Sequence, residues 1–255
     1  MSRKLLFFLP VLLSAFFMIG CGRQAAPPTP PPGQEKPLPE VIQAWIDDSR
    51  SVFLAQTKEM DGTLYLLVTY GEKPTGGYVV EIGDIIMATD KITVPVNFKR
   101  PAPGDVVTQA LTYPYDLETI DATGVPVEFV PSGDEEYLPT LIGIDELRPI
   151  VAGSVGIKIF APAPESTVAQ QFVLEGVANV FEGNVQYRLL DGDGRLLDSG
   201  FTMGAMGDWG YFRAELSVPD DVAAGERLLL DVFTESAKDG SLEQQILYEV
   251  VLSMP

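Results

Sequence analysis

From Pro39 onward apolar residues recur at helical spacing, with Val41, Ile42, Trp45 and Ile46 on one face and Asp47 and Asp48 on the other, which predicts one short helix. The period then drops to two. Runs rich in β-branched and aromatic residues at 51–57, 63–70, 78–87 and 91–98, separated by Gly, Pro and Asp clusters, predict strands, and Asp61-Gly62 between two of them is a hairpin signal. A further extended piece starts at Tyr113-Pro114-Tyr115 and ends near Val130. A Gly- and acid-rich passage, Pro131 to Glu136, marks the expected domain boundary. The stretch 137–152 after it carries Leu138, Leu141, Ile142, Ile144 and Leu147; it reads as linker or as packed on the first domain, being too apolar for a freely solvated tether. From 154 to 255 short strands recur at the spacing of roughly 8 to 12 residues that suggests a β-sandwich. They fall at 156–160, 172–178, 185–191, 196–203, 210–218, 227–234 and 245–252, an immunoglobulin-like count without the cysteine pair of antibody domains.

The N-terminus follows a different pattern. Arg3 and Lys4 precede an apolar run from Leu5 to Ile19, too short for a comfortable span of roughly 20 residues, and the run ends in Gly20-Cys21 and proline-rich coil. That is the layout of a secretory signal. The residues Met18-Ile19-Gly20-Cys21 resemble the lipobox of bacterial lipoproteins, with Met18 where Leu is usual. The resemblance implies cleavage before Cys21 and its attachment to the membrane through two acyl chains, the number that makes anchoring stable. The stretch Ala25 to Gly33, with Pro27, Pro28, Pro30, Pro31 and Pro32, favours extended polyproline geometry and reads as a stalk of about 3.1 Å per residue.

Composition narrows the chemistry. The 255 residues carry a formal charge of −19, more acidic still once Arg3 and Lys4 are removed. Such a surface repels phosphate backbones and anionic headgroups, so no nucleic-acid partner and no second, electrostatic membrane contact are expected. Histidine is absent and Cys21 is the only cysteine, which excludes His-dependent triads, His- and Cys-based zinc sites and any disulfide. No cofactor is expected.

The run Gly71-Glu72-Lys73-Pro74-Thr75-Gly76-Gly77-Tyr78-Val79-Val80-Glu81-Ile82, with Pro101-Ala102-Pro103-Gly104 and Thr112-Tyr113-Pro114-Tyr115, resembles the PrcB C-terminal domain family, named for an accessory subunit of a bacterial surface protease complex. The second half, through Ile157-Lys158-Ile159, Pro162-Ala163-Pro164, Gly176-Val177-Ala178, Phe181-Glu182-Gly183, Leu190 to Gly194, Phe212, Val232 to Ser236 and Asp239-Gly240, resembles the immunoglobulin-like domain of bacterial spore germination proteins. No catalytic residues are attributed to that family. The resemblances imply binding or scaffolding rather than turnover.

Candidate sites follow from these motifs. Gly76-Gly77-Tyr78 offers backbone amides and an aromatic ring to a partner peptide, or else serves as a strand-entry turn. Trp209, in Asp208-Trp209-Gly210-Tyr211-Phe212, is a binding hot spot if exposed. Asp191-Gly192-Asp193-Gly194 has the look of a calcium loop, but lacks the downstream bidentate Glu and is explained by hairpin chemistry. Glu182 with Glu175 or Asp231 invites a glycosidase pair, which needs carboxylates held across a cleft roughly 5–10 Å apart that nothing in the sequence indicates. No catalytic or metal-binding residue is assigned.

The expected protein is therefore mainly β: signal peptide 1–20; lipidated Cys21 and stalk 21–38; an α+β domain of short helix and antiparallel sheet, 39–130; linker 131–153; and an immunoglobulin-like β-sandwich, 154–255. The expected role is non-catalytic binding or scaffolding on the extracytoplasmic face of the cell membrane, possible processes being protease association, envelope assembly, sporulation or germination. A protein is the expected partner, and cell-wall glycan is the alternative.

Overall fold

The computed structural model describes residues 37–253, so the signal, Cys21 and most of the stalk lie outside the described residues. The first lobe runs α1 (Glu40–Ser49), β1 (Phe53–Met60), β2 (Thr63–Tyr70), β3 (Val79–Ile82), β4 (Ile86–Met87), β5 (Ile92–Lys99), β6 (Tyr115–Asp121) and β7 (Val127–Gly133). Strands β1, β2 and β6 form one antiparallel sheet in that order. A second sheet is built on β5, with β3 and β4 along one edge and β7 parallel to it along the other.

The helix lies against one face of the first sheet. Its buried stripe is Ile42, Trp45, Ile46 and Ser49; Val41, expected on that face, is exposed, because the burial stripe runs at i, i+3, i+4, i+7 from Ile42 and leaves Val41 beside it. Strand β2 is nearly continuous in apolar residues because both its faces are covered. Tyr65 and Leu67 meet the helix, while Leu66, Val68 and Tyr70 meet Val94, Val96 and Phe98 of the second sheet. The hairpin at Asp61-Gly62 has both residues at positive φ, 53° and 77°, the backbone a tight primed turn needs.

Two expected strands are each divided. The 78–87 run becomes β3 and β4 because Pro95 stands opposite the break: it has no N–H to donate, and Gly83 N–H instead donates to its carbonyl at 2.8 Å. The 113–130 piece divides around Gly124, so that β6 extends the first sheet and β7 joins the second.

The second lobe contains β8 (Leu141–Ile142), β9 (Ala152–Gly153), β10 (Ile157–Ala161), β11 (Thr167–Val168), β12 (Gln171–Ala178), β13 (Asn184–Leu190), β14 (Leu196–Met203), β15 (Trp209–Ser217), β16 (Arg227–Glu235) and β17 (Leu242–Leu252). They form two sheets, β8-β15-β12-β10-β9 and β11-β17-β16-β13-β14. Between the sheets lie Ile157, Ile159, Leu174, Phe212 and Leu216 from one and Val185, Leu189, Leu228, Leu230 and Val250 from the other. This is the mainly β, immunoglobulin-like sandwich that the alternation predicts.

The stretch 131–153 is woven into both lobes. Strand β7 ends inside it, β8 runs parallel to β15, and β9 pairs with β10. Ala55 N–H of β1 donates to the Pro139 carbonyl at 2.8 Å, and Trp209 N–H of β15 donates to the neighbouring Thr140 carbonyl at 2.9 Å. Leu147 is buried in a cluster with Val52 and Leu54 of the first lobe and Phe160, Val177 and Trp209 of the second. Residues Leu38–Pro255 accordingly form one compact unit.

Candidate functional site

The outward face of the β8-β15-β12-β10-β9 sheet is turned toward the first lobe, and this decides where Trp209 goes. It is 5% exposed, and its indole N–H donates to the Phe53 carbonyl at 3.0 Å across the lobes. A buried Trp cannot serve as a surface hot spot; here it joins two lobes of one chain. Around it, Asp208 accepts from Thr140 N–H at 2.7 Å and from the Thr140 hydroxyl at 3.0 Å. Buried Gln56 accepts from Trp45 Nε1 and from Leu147 N–H, both at 3.3 Å, and donates to Ser49 Oγ at 2.8 Å, so one amide links the helix, β1 and the connecting stretch.

Beside Trp209 the lobes part to leave a cleft of about 620 Å³, within the ordinary size range for ligand sites. Lys73 enters it from the first lobe. Gly71, at φ 72°, turns the chain sharply off the end of β2; a Cβ there would come within 3.0 Å of the Phe53 nitrogen, so only glycine allows Glu72 and Lys73 to follow this course. Backbone bonds between Lys73 and Thr112, 2.9 and 3.0 Å long, then fix the lysine. Its ammonium sits 3.8 Å from the centre of the Tyr70 ring, with Tyr78 at 5.6 Å and Phe53 at 5.7 Å, an aromatic cage of cation–π geometry.

Lys158 enters from the second lobe. It lies on β10 between Ile157 and Ile159, which point into the sandwich, so alternation turns Lys158 outward toward the first lobe. The β9–β10 turn folds back beside it. Lys158 Nζ donates to the Ser154 carbonyl at 2.6 Å, the Ser154 hydroxyl is buried without a hydrogen-bond partner, and Val155 at the turn is 85% exposed. Gln244, at φ 52°, closes this end by accepting from Gly156 N–H at 2.8 Å.

Neither lysine has a carboxylate within ion-pair distance among the described residues, although the chain is strongly acidic. Burial lowers the pKa of both below the usual lysine value, because withdrawal from water disfavours the charged form. Glu72 is the carboxylate lining the cleft, and its Oε2 accepts from Tyr113 OH at 2.9 Å.

The glycines of Gly76-Gly77-Tyr78 have backbone reasons. Gly76 N–H donates to the Thr108 carbonyl at 2.9 Å, and Gly77, at φ 86°, would bring a Cβ within 2.9 Å of Val107. Tyr78 packs edge-on against Tyr70, 5.9 Å between centres, and so backs the Lys73 cage. The motif and Trp209 thus lie on the two sides of the cleft region, while the lysines, which sequence reasoning missed, carry its charge. The available signal was an outward face that alternates Lys158 with Phe160 and Trp209 with Tyr211, too apolar to face water.

The other candidate acids are committed elsewhere. Asp191 accepts from the backbone of Asp193 at 3.1 Å and of Arg195 at 2.8 Å and from Arg195 Nε at 2.9 Å, which closes the hairpin. Asp231 is held by Arg188 and Gln245, and Glu175 by Tyr211 and Arg148. Glu182, at φ 54°, forms a short turn beside exposed Phe181. Among the described residues no group of three or more acidic side chains is placed to hold a metal ion, and no helix is long and apolar enough to cross a membrane.

Residues 64–121 match the family model described as PrcB C-terminal, and residues 156–241 match that of the immunoglobulin-like domain of bacterial spore germination. Neither description names an enzymatic activity. Among solved structures, the crystal structure of CopC from Methylosinus trichosporium OB3b aligns at 19% identity over 40% of this chain and 93% of that chain, with a TM-score of 0.28. That score is too low to carry a structural argument. No curated protein matches the chain.

Proposed function

We propose that this chain, which joins a PrcB C-terminal-type lobe to an immunoglobulin-like lobe of the spore germination type, is a non-catalytic binding protein held on the outer face of the cell membrane by lipid on Cys21, with the inter-lobe cleft as its binding site. The observation that carries the reading is the cleft itself: a ligand-sized space in which two half-buried lysines lack acidic partners. A structural ion pair would have used one of the chain's many carboxylates. The anchor rests on the sequence Gly20-Cys21 after its apolar run, and the binding role on the two family matches. The glycan alternative loses its main support with the burial of Trp209. A proteolytic or envelope assembly is the kind of partner the two resemblances favour.

Crosslinking in intact cells followed by affinity purification tests this. Deleting either lobe would uncover the cluster around Trp209 and Leu147, so the comparison uses full-length protein and Val155→Asp, an exposed change at the cleft mouth. A defined protein captured by the wild type and lost with Val155→Asp supports the reading; capture unaffected by the change moves the site elsewhere. Mass spectrometry of the N-terminal peptide tests the anchor, which fails if Cys21 carries no lipid.

A further inference from the structure

We infer that the inter-lobe cleft recognises a single carboxylate on a peptide, held between Lys73 and Lys158; this ligand class rests on the binding reading above. Lys158 uses one of its three N–H donors on the Ser154 carbonyl and keeps two, and beside it the Ser154 hydroxyl is buried without a partner. A carboxylate can accept from an ammonium and a hydroxyl at once, and would complete both. Lys73 supplies the second charge from the opposite lobe. Its aromatic cage fixes the ammonium without neutralising it, since ring quadrupoles attract a cation but carry no net charge.

Charge balance selects the ligand further. Two lysines and Glu72 give the lining a net charge of about +1, which matches a monoanionic carboxylate and would oppose a phosphate dianion through Glu72. The apolar part of the lining, from Phe53 and Trp209, suits the side chain or backbone that carries the carboxylate. The carboxylate comes from a chain terminus or from an acidic side chain. The chemistry of recognition is the same.

The test is an amide-resolved NMR titration of the full-length chain with four probes: N-acetylphenylalanine for a terminal carboxylate, N-acetylaspartate α-methylamide for a side-chain one, N-acetylphenylalaninamide, and inorganic phosphate. At least one carboxylate probe is expected to shift the amides of Lys73 and of Ser154 to Ile157 saturably, while the neutral amide and phosphate leave them in place. Which carboxylate acts identifies its source. The double variant Lys73→Met, Lys158→Met is expected to bind at least about tenfold more weakly, the equivalent of about 1.4 kcal/mol. A melting curve no lower than that of the wild type excludes misfolding as the reason, and Lys158→Arg, which keeps the charge, is expected to retain most binding. Phosphate binding more tightly than either carboxylate, equal shifts from the neutral amide, or unchanged affinity in the double variant each overturns the inference. If both carboxylates are ignored while Val155→Asp still abolishes cellular capture, the ligand class is wrong and the binding reading stands.

Discussion

The two faces of the β8-β15-β12-β10-β9 sheet are built on different rules. Its inner face, with Ile157, Ile159, Leu174, Phe212 and Leu216, is uniformly apolar and fully covered by the opposite sheet. Its outer face mixes Phe160, Val177 and Trp209 with Lys158, Glu175 and Tyr211, and is covered only where the first lobe and the connecting stretch reach it. The inner face specifies a fold through burial, which is non-directional and forgiving of detail. The outer face specifies an orientation between lobes through a few directional bonds, and where those bonds stop a cleft begins. One sheet therefore serves as core on one side and as joint and binding wall on the other.

The sharpest way to break this comparison is to remove one large side chain from each face. Phe212→Ala and Trp209→Ala should each cost about 3–5 kcal/mol, the range for buried aromatics. The outcomes should differ in kind: Phe212→Ala lowers the single cooperative unfolding transition, whereas Trp209→Ala loosens the joint, seen as faster amide hydrogen exchange at Ala55 and Leu147 while the sandwich stays protected. Equal loss of protection throughout the sandwich in both variants would mean that the two faces are not separable.

Gln56→Ala comes next. It leaves Trp45 Nε1 and Leu147 N–H without their acceptor, at about 1–3 kcal/mol for each donor stranded in a buried site. Chemical denaturation measures the loss, and a change below about 0.5 kcal/mol, the range of ordinary surface substitutions, would mean that water replaces the amide without penalty.

Lys158→Met is expected to move stability the other way. Burial disfavours the lysine's charge and Glu72, beyond ion-pair distance, offsets it only in part, so the variant should melt at the same temperature as the wild type or higher. A clear drop in melting temperature would make Lys158 a structural residue and weaken the case for the cleft as a site.

The smallest expected effect is on the acid limb of stability. Glu175, tied to Tyr211 at 2.6 Å and to Arg148 at 2.8 Å, has its carboxyl held below the ordinary value of 4.5, first by the Tyr211 hydroxyl and then by Arg148 against the opposing effect of burial. The unfolded chain binds the proton more tightly, so this contribution is complete above about pH 4.5 and is lost as pH falls through the folded value. Glu175→Gln should flatten that part of the stability–pH curve, measured by urea titration between neutral pH and pH 3, and leave the curve above about pH 6 parallel to that of the wild type.

Much of the architecture was legible in the order of residues. The helix, the Asp61-Gly62 hairpin, β2 and β14 to their ends, and the alternating strands of the sandwich follow from local periodicity and turn chemistry, which act over a few residues and need no partner to be read. The backbone role of Gly76 and Gly77 was likewise one of two stated readings. Local periodicity could not supply what lies across the chain: that Pro95 divides the strand facing it, that residues 137–152 pack on both lobes, and that Trp209 meets the Phe53 carbonyl. Those contacts join residues as far as 156 positions apart. The sequence by itself determined where most of the longer strands lie and that histidine is absent, because composition and period are local properties. Only the tertiary structure decided which sheet face is covered, and hence that Trp209 is a joint and that Lys73 and Lys158 share a cleft, because burial depends on what the rest of the chain brings to the other side.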